Sequence, residues 1–146
     1  MLSYLPCGAH NIQLVIKDGL KLDDNYSKLL TKVSSDIVSL SKVSHLIAEE
    51  VRRLDKSLYK AVVTRWNSIL FMIRSVLKLT ATDFASIRKE MSTKTARQKE
   101  IKKIFNLTSI ERDMLLELKI VLEMFEFATN ELQCNNLNYY FKQNIN

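Results

Sequence analysis

The stretch YSKLLTKVSSDIVSLSKVSHLIAEEVRRL, residues 26–54, sets Leu29, Leu30, Val33, Ile37, Leu40, Val43 and Ile47 chiefly at steps of three and four. That spacing lines one side of a helix and predicts a long helix over 26–54 that buries a stripe against other helices. Pairing as a coiled coil is the weaker alternative, because Ser34, Ser35, Ser39, Ser41 and Ser44 are poor helix formers. Working outward, the chain offers little that would end a helix. Its 146 residues contain two Gly and one Pro, against a usual ~12% of residues. Sandwiches, barrels and doubly wound folds need more turn residues than this, so the fold class expected is mainly α and bundle-like.

Three further helices are predicted around the first. Pro6 and Gly8 mark an entry turn, and Ala9 to Lys17 follows as a short helix with Ile12, Val15 and Ile16 on one side, broadened by Leu14, and Gly19 as its C-cap. A mixed connector over 55–63 leads to a helix over 67–91, with Ile69, Leu70, Ile73, Val76, Leu77, Phe84 and Ile87 facing inward. Residues 92–98 are the most loop-like in the middle of the chain. Thr108-Ser109-Ile110-Glu111 fits a capping box and opens a helix to about Gln133, lined by Leu115, Leu118, Val121, Leu122, Phe125 and Leu132. After Cys134 the sequence becomes Asn-rich, outside the expected helix. No apolar run approaches the ~18–20 residues that span a bilayer, so no membrane partner is expected.

The net charge of +6 is unevenly spread. Residues 61–105 carry ten basic and three acidic groups, whereas residues 106–146 carry three and six. The excess centres on Arg88, Lys89, Lys94, Arg97, Lys99, Lys102 and Lys103. Such a stretch is either a solvated helix face or a phosphate-contacting one, and composition leaves both open. Two cysteines are too few for a disulfide framework, and nothing at the N-terminus reads as a signal peptide, so a reducing intracellular compartment is the default.

Candidate chemistry is sparse. Cys7 and His10 have metal-type spacing but lack a second pair, so no metal site is expected in this chain. Asp23-Asp24 reads as a turn, and Glu49-Glu50 beside Arg52-Arg53 as surface pairing. The most informative string is Thr64-Arg65-Trp66-Asn67-Ser68, which holds the only Trp. Trp66 is either a core residue with Arg65 snorkelling beside it, or a base-stacking side chain with Arg65 on a phosphate.

Residues Cys7-Gly8-Ala9-His10-Asn11-Ile12-Gln13-Leu14 with Asp18-Gly19-Leu20, residues 32–38, the Thr64–Ser68 block with Met72 and Arg74, and the 115–132 helix occur in an order and spacing that resembles hAT superfamily transposases, which carry a BED-type zinc finger elsewhere. Two departures are Gln13, where the family usually has Asn, and Ile69, where Thr is common. The resemblance covers about residues 7–134 and implies a division of 7–146 into a core-edge helix, 7–20, and a helical insertion segment, 26–134, of a ribonuclease H-like region. It also implies that the catalytic acidic trio, which binds divalent metal such as magnesium, lies before Cys7 and beyond Asn146. The chain is therefore expected to be a non-enzymatic fragment or remnant, nuclear, without a cofactor of its own, and forming a transposase-type homo-oligomer only as part of a full-length protein. DNA is the implied partner, held weakly and with sequence tolerance by His10, Arg65 and Trp66, which match family positions near the cleavage site, together with the basic stretch 88–103. The alternative is a domesticated, transposase-derived helical module for protein interaction.

Overall fold

A computed structural model describes residues 8–62, 65–91 and 93–143, and beyond Cys134 only the helical path. The Pro6 entry turn, Cys7, Thr64 and Ser92 lie outside the described residues. Among the described residues the chain is mainly helical and contains no strand. Helices α1 (Gly8–Leu22) and α2 (Asp24–Lys32) are followed by a π-helical segment (Val33–Ser39), α3 (Leu40–Val43) and α4 (His45–Arg53). After an extended connector come α5 (Trp66–Leu77), α6 (Ala81–Glu90), α7 (Ala96–Ile104) and α8 (Ser109–Gln143).

The core forms where α5 lies along α8. Leu70, Met72, Ile73 and Val76 of α5 and Leu115 and Leu122 of α8 are all but fully buried. Val33, Ile37 and Val38 of the π segment close the same core from another side, joined by Phe84, Ile87 and Phe105. Polar groups fix the pairing. On α5, Arg74 reaches Glu123 at 2.9 Å and Glu126 at 2.7 Å on α8. Arg112, in the first turns of α8, donates to the carbonyls of Leu77 at 2.7 Å and Leu79 at 2.8 Å. Those carbonyls have no helical partner once α5 ends, so α8 caps α5 with a charged donor. Lys32 ties α2 to the start of α8 through Glu111, at 2.6 Å. Burial of Glu111 favours its neutral form most strongly, but the Lys32 ammonium and the Thr108 donors outweigh it and hold the carboxyl below its ordinary range. At the start of α1, a Cβ on Gly8 would lie 3.2 Å from Leu132 Cδ1, a close approach that seats α1 on the far part of α8.

The expected helix over 26–54 is interrupted twice. The π segment changes the winding, and one additional residue in a turn rotates the downstream side chains by about 100°. Val38 and Ser41 therefore turn inward, and Val43, expected inside, is 85% exposed. At Ser44 the backbone becomes extended, and its hydroxyl accepts from Ile47 N to start α4. The expected helix over 67–91 breaks at Lys78–Thr80. Thr80 and Asp83 form a capping box that starts α6 afresh. Residues 92–98 are only partly loop, because Thr95 and Gln98 form a second box and open α7. The third box, Thr108 with Glu111, stands where it was expected. Gly19 is not a C-cap: α1 runs past it to Leu22 and ends where Asp23 caps α2. Val15, Val121 and Leu132, expected inside, are exposed. Residues 135–143 continue α8 beyond its expected end at about Gln133.

Glu50, read as surface pairing, is buried. Its carboxylate accepts two bonds from Arg53, at 2.6 and 2.7 Å, and one from Ser86 of α6 at 2.7 Å. Arg53 first, then Ser86, lowers its pKa from 4.5 to about 2. A depressed carboxyl stabilises the fold fully above its unfolded value, and that contribution fades as pH falls through the folded value. Glu50→Gln is therefore expected to be less stable than wild type near neutrality, with the gap closing between pH 4.5 and about 2. Urea denaturation of both proteins across that window measures it, and a constant gap would contradict the assignment.

Gly19 supplies a second expectation. It is exposed inside α1, and a Cβ there would meet nothing within 4 Å. Gly19→Ala is expected to stabilise the protein by about 0.5–1 kcal/mol, because alanine loses less backbone freedom in a helix. Thermal denaturation followed by circular dichroism reads the shift.

Candidate nucleic-acid interface

Residues 65–68 of the block lie where the connector enters α5, and their side chains divide sharply. Arg65 is the N-cap residue, with extended backbone and no capping bond from its own side chain. It is exposed, and it pairs with no described carboxylate. Trp66, one residue on, is buried at 6% exposure and belongs to the hydrophobic core. Of the two readings open for this residue, the structure shows the core position. A base could stack on it only by entering the groove that Trp66 lines between α1, α2 and α5.

Ser68 explains why the block is built this way. Its hydroxyl accepts from Val62 N at 2.8 Å and lies within hydrogen-bond distance of the carbonyls of Val62 and Arg65. Seven residues later on the same side of α5, Ser75 accepts from Tyr59 N at 2.9 Å and donates to Met72 O at 2.7 Å. Residues 56–62 lie outside helix and strand, and the two serines accept from the amides of Tyr59 and Val62 there. Ser68 stood in the informative block but without this role, and Ser75 was not singled out; two serines spaced by seven on a largely apolar helix were the available signal.

The basic stretch forms the corner from the end of α6 to the end of α7. Arg88 and Lys89 occupy the last turn of α6, and Arg97, Lys99, Lys102 and Lys103 lie on α7. Lys89, Lys94, Arg97, Lys99 and Lys103 are exposed, while Arg88 and Lys102 are half-buried. Cations of this stretch are also engaged internally. Lys103 pairs with Glu100 at 2.8 Å, and Lys102 reaches the Met91 carbonyl at 3.4 Å. Arg88, Lys89, Arg97 and Lys99 form no ion pair with a described carboxylate. Of those four, Lys89, Arg97 and Lys99 are exposed to solvent and Arg88 is half-buried.

His10 is exposed on the first turns of α1. Helix α1 packs on α2, α5 and α8, so His10 and Arg65 belong to neighbouring helices, whereas the basic corner follows α6, which packs on α4. The sequence-predicted residues thus fall into two groups, one at α1 and α5 and one at α6 and α7. Among the described residues no three His, Cys, Asp or Glu side chains come together as a metal-binding group. No helix among them is long and apolar enough to cross a membrane.

Loss of the Ser68 hydroxyl is expected to leave the Val62 amide without a partner. Ser68→Ala should lower stability by about 1–3 kcal/mol, the desolvation cost of a polar group left unpaired. Equilibrium urea unfolding measures the change.

No protein-family model, curated protein or solved structure matches this chain.

Proposed function

We propose that the chain is an internal helical segment of a hAT-type DNA transposase that associates with nucleic acid and leaves catalysis to acids outside it. The sequence blocks around His10, Arg65-Trp66 and the 115–132 helix support the family reading. The observation that carries nucleic-acid association is the α6–α7 corner, with Arg88, Lys89, Arg97 and Lys99 unpaired by described carboxylates. Charges held in this way attract phosphates without reading bases, so binding is weak, sequence-tolerant and salt-dependent. Arg65, exposed at the start of α5, adds a separate cation, and burial of Trp66 removes it from direct surface contact.

A second reading, a helical module for protein interaction, is favoured by α8. Ile120, Met124 and Phe127 lie along one side of that helix at 59, 68 and 68% exposure. An apolar stripe of that kind suits a protein partner. The two readings separate on salt dependence.

The test is titration of labelled single-stranded and duplex DNA by fluorescence anisotropy at about 50 and about 200 mM salt. Wild type is expected to bind both, with affinity falling as salt rises. Each phosphate contact removed by Arg97→Glu or Lys99→Glu should flatten the logarithmic salt dependence by ~0.7 for single strands and ~0.9 for duplex. Arg65→Ala should weaken binding without loss of helicity. Absence of binding at the lower salt concentration would overturn the reading in favour of the protein-interaction module.

A further inference from the structure

A groove of about 370 Å³ opens between α1, the α2–π segment and α5, in the size range of small-molecule sites. Its apolar surface comes from Leu20, Leu30, Ala61, Trp66, Ile69 and Met72. One rim is α1, where Lys17 and Lys21 stand four residues apart and so on the same side of the helix. Both lysines are exposed, and neither pairs with a described carboxylate. The facing rim bears hydroxyls, among them Ser27 and Ser34. No acidic residue lines the groove, so two cations face an apolar surface with nothing on the site to neutralise them.

Two independent features mark this groove as a binding site. Ser34 and Ser35 belong to the π-helical segment, a rare winding frequently found at functional sites. The Trp66 indole N–H donates to no described residue, yet no buried side-chain polar atom among them lacks a partner. This donor therefore keeps contact with solvent, and the groove is the opening that Trp66 lines.

We propose that this groove binds an amphiphilic organic anion, a hydrocarbon body with a carboxylate head. The body lies on Leu20, Leu30, Ile69 and Met72, where burial of apolar surface drives it in. The carboxylate sits toward Lys17 and Lys21, whose charge selects it over a cation of the same length. The site is independent of the basic α6–α7 corner, so it stands or falls separately from nucleic-acid association.

Trp66, the only tryptophan, reports on occupancy through its emission. The experiment titrates the wild-type chain with decanoate, decan-1-ol and decylammonium, following Trp66 fluorescence and far-ultraviolet circular dichroism. Decanoate is expected to give a saturable change at constant helicity, with decylammonium at least about tenfold weaker, a full decade of affinity. The double variant Lys17→Glu/Lys21→Glu changes only exposed residues, and it should lower decanoate affinity about tenfold while leaving decan-1-ol unchanged. Equal binding of the anion and the cation by wild type would overturn the proposal, whether or not the variant folds. So would undiminished decanoate binding by a folded double variant, or a non-saturating signal accompanied by loss of helix.

Discussion

The contact between α5 and α8 is the constraint on which the other elements depend. An apolar helix such as α5 leaves its last carbonyls without partners at its C-terminus, and burial would make that costly. Arg112 resolves this by donating to Leu77 and Leu79 from α8. Because the cap comes from another helix, α5 can end properly only when α8 is in register. Arg74 fixes the same register further along, through Glu123 and Glu126. Leu70, Ile73 and Val76 then meet Leu115 and Leu122, and the apolar contact and the charged contacts select one alignment.

The remaining elements attach to this pair. The π segment places Val33, Ile37 and Val38 on the core and Ser34 and Ser35 on the groove beside Trp66. Ser68 and Ser75 hold the connector against α5, so the Arg65-Trp66 step is set by packing and hydrogen bonding before any ligand is considered. Glu50 links α4 to α6 through Ser86, and α6 in turn leads into the basic corner. One chain thus presents two chemically different surfaces. The corner carries exposed cations, and the groove is an apolar surface edged with lysine.

Part of this was legible from residue order. The helical class followed from the scarcity of Gly and Pro and from the three–four spacing of apolar residues, both local properties. The Thr108–Glu111 box was readable because its donors and acceptors lie within one turn. Thr80–Asp83 and Thr95–Gln98 carry the same signature, but continuous apolar spacing through 78–80 and the polar text of 92–98 masked them. The basic stretch was visible as composition, although which charges stay unpaired depends on Glu100 and the Met91 carbonyl.

Residue order by itself determined that the chain forms helices, where its charge concentrates and which apolar positions compete for the core. Those outcomes depend on interactions between residues a few positions apart. Only the tertiary structure decided that Trp66 is buried beside an exposed Arg65, that Glu50 is paired inside, and that Val43 faces out after the π segment. Each of these rests on a partner from elsewhere in the chain or on a change of helical phase, and periodicity in a single segment carries information about neither.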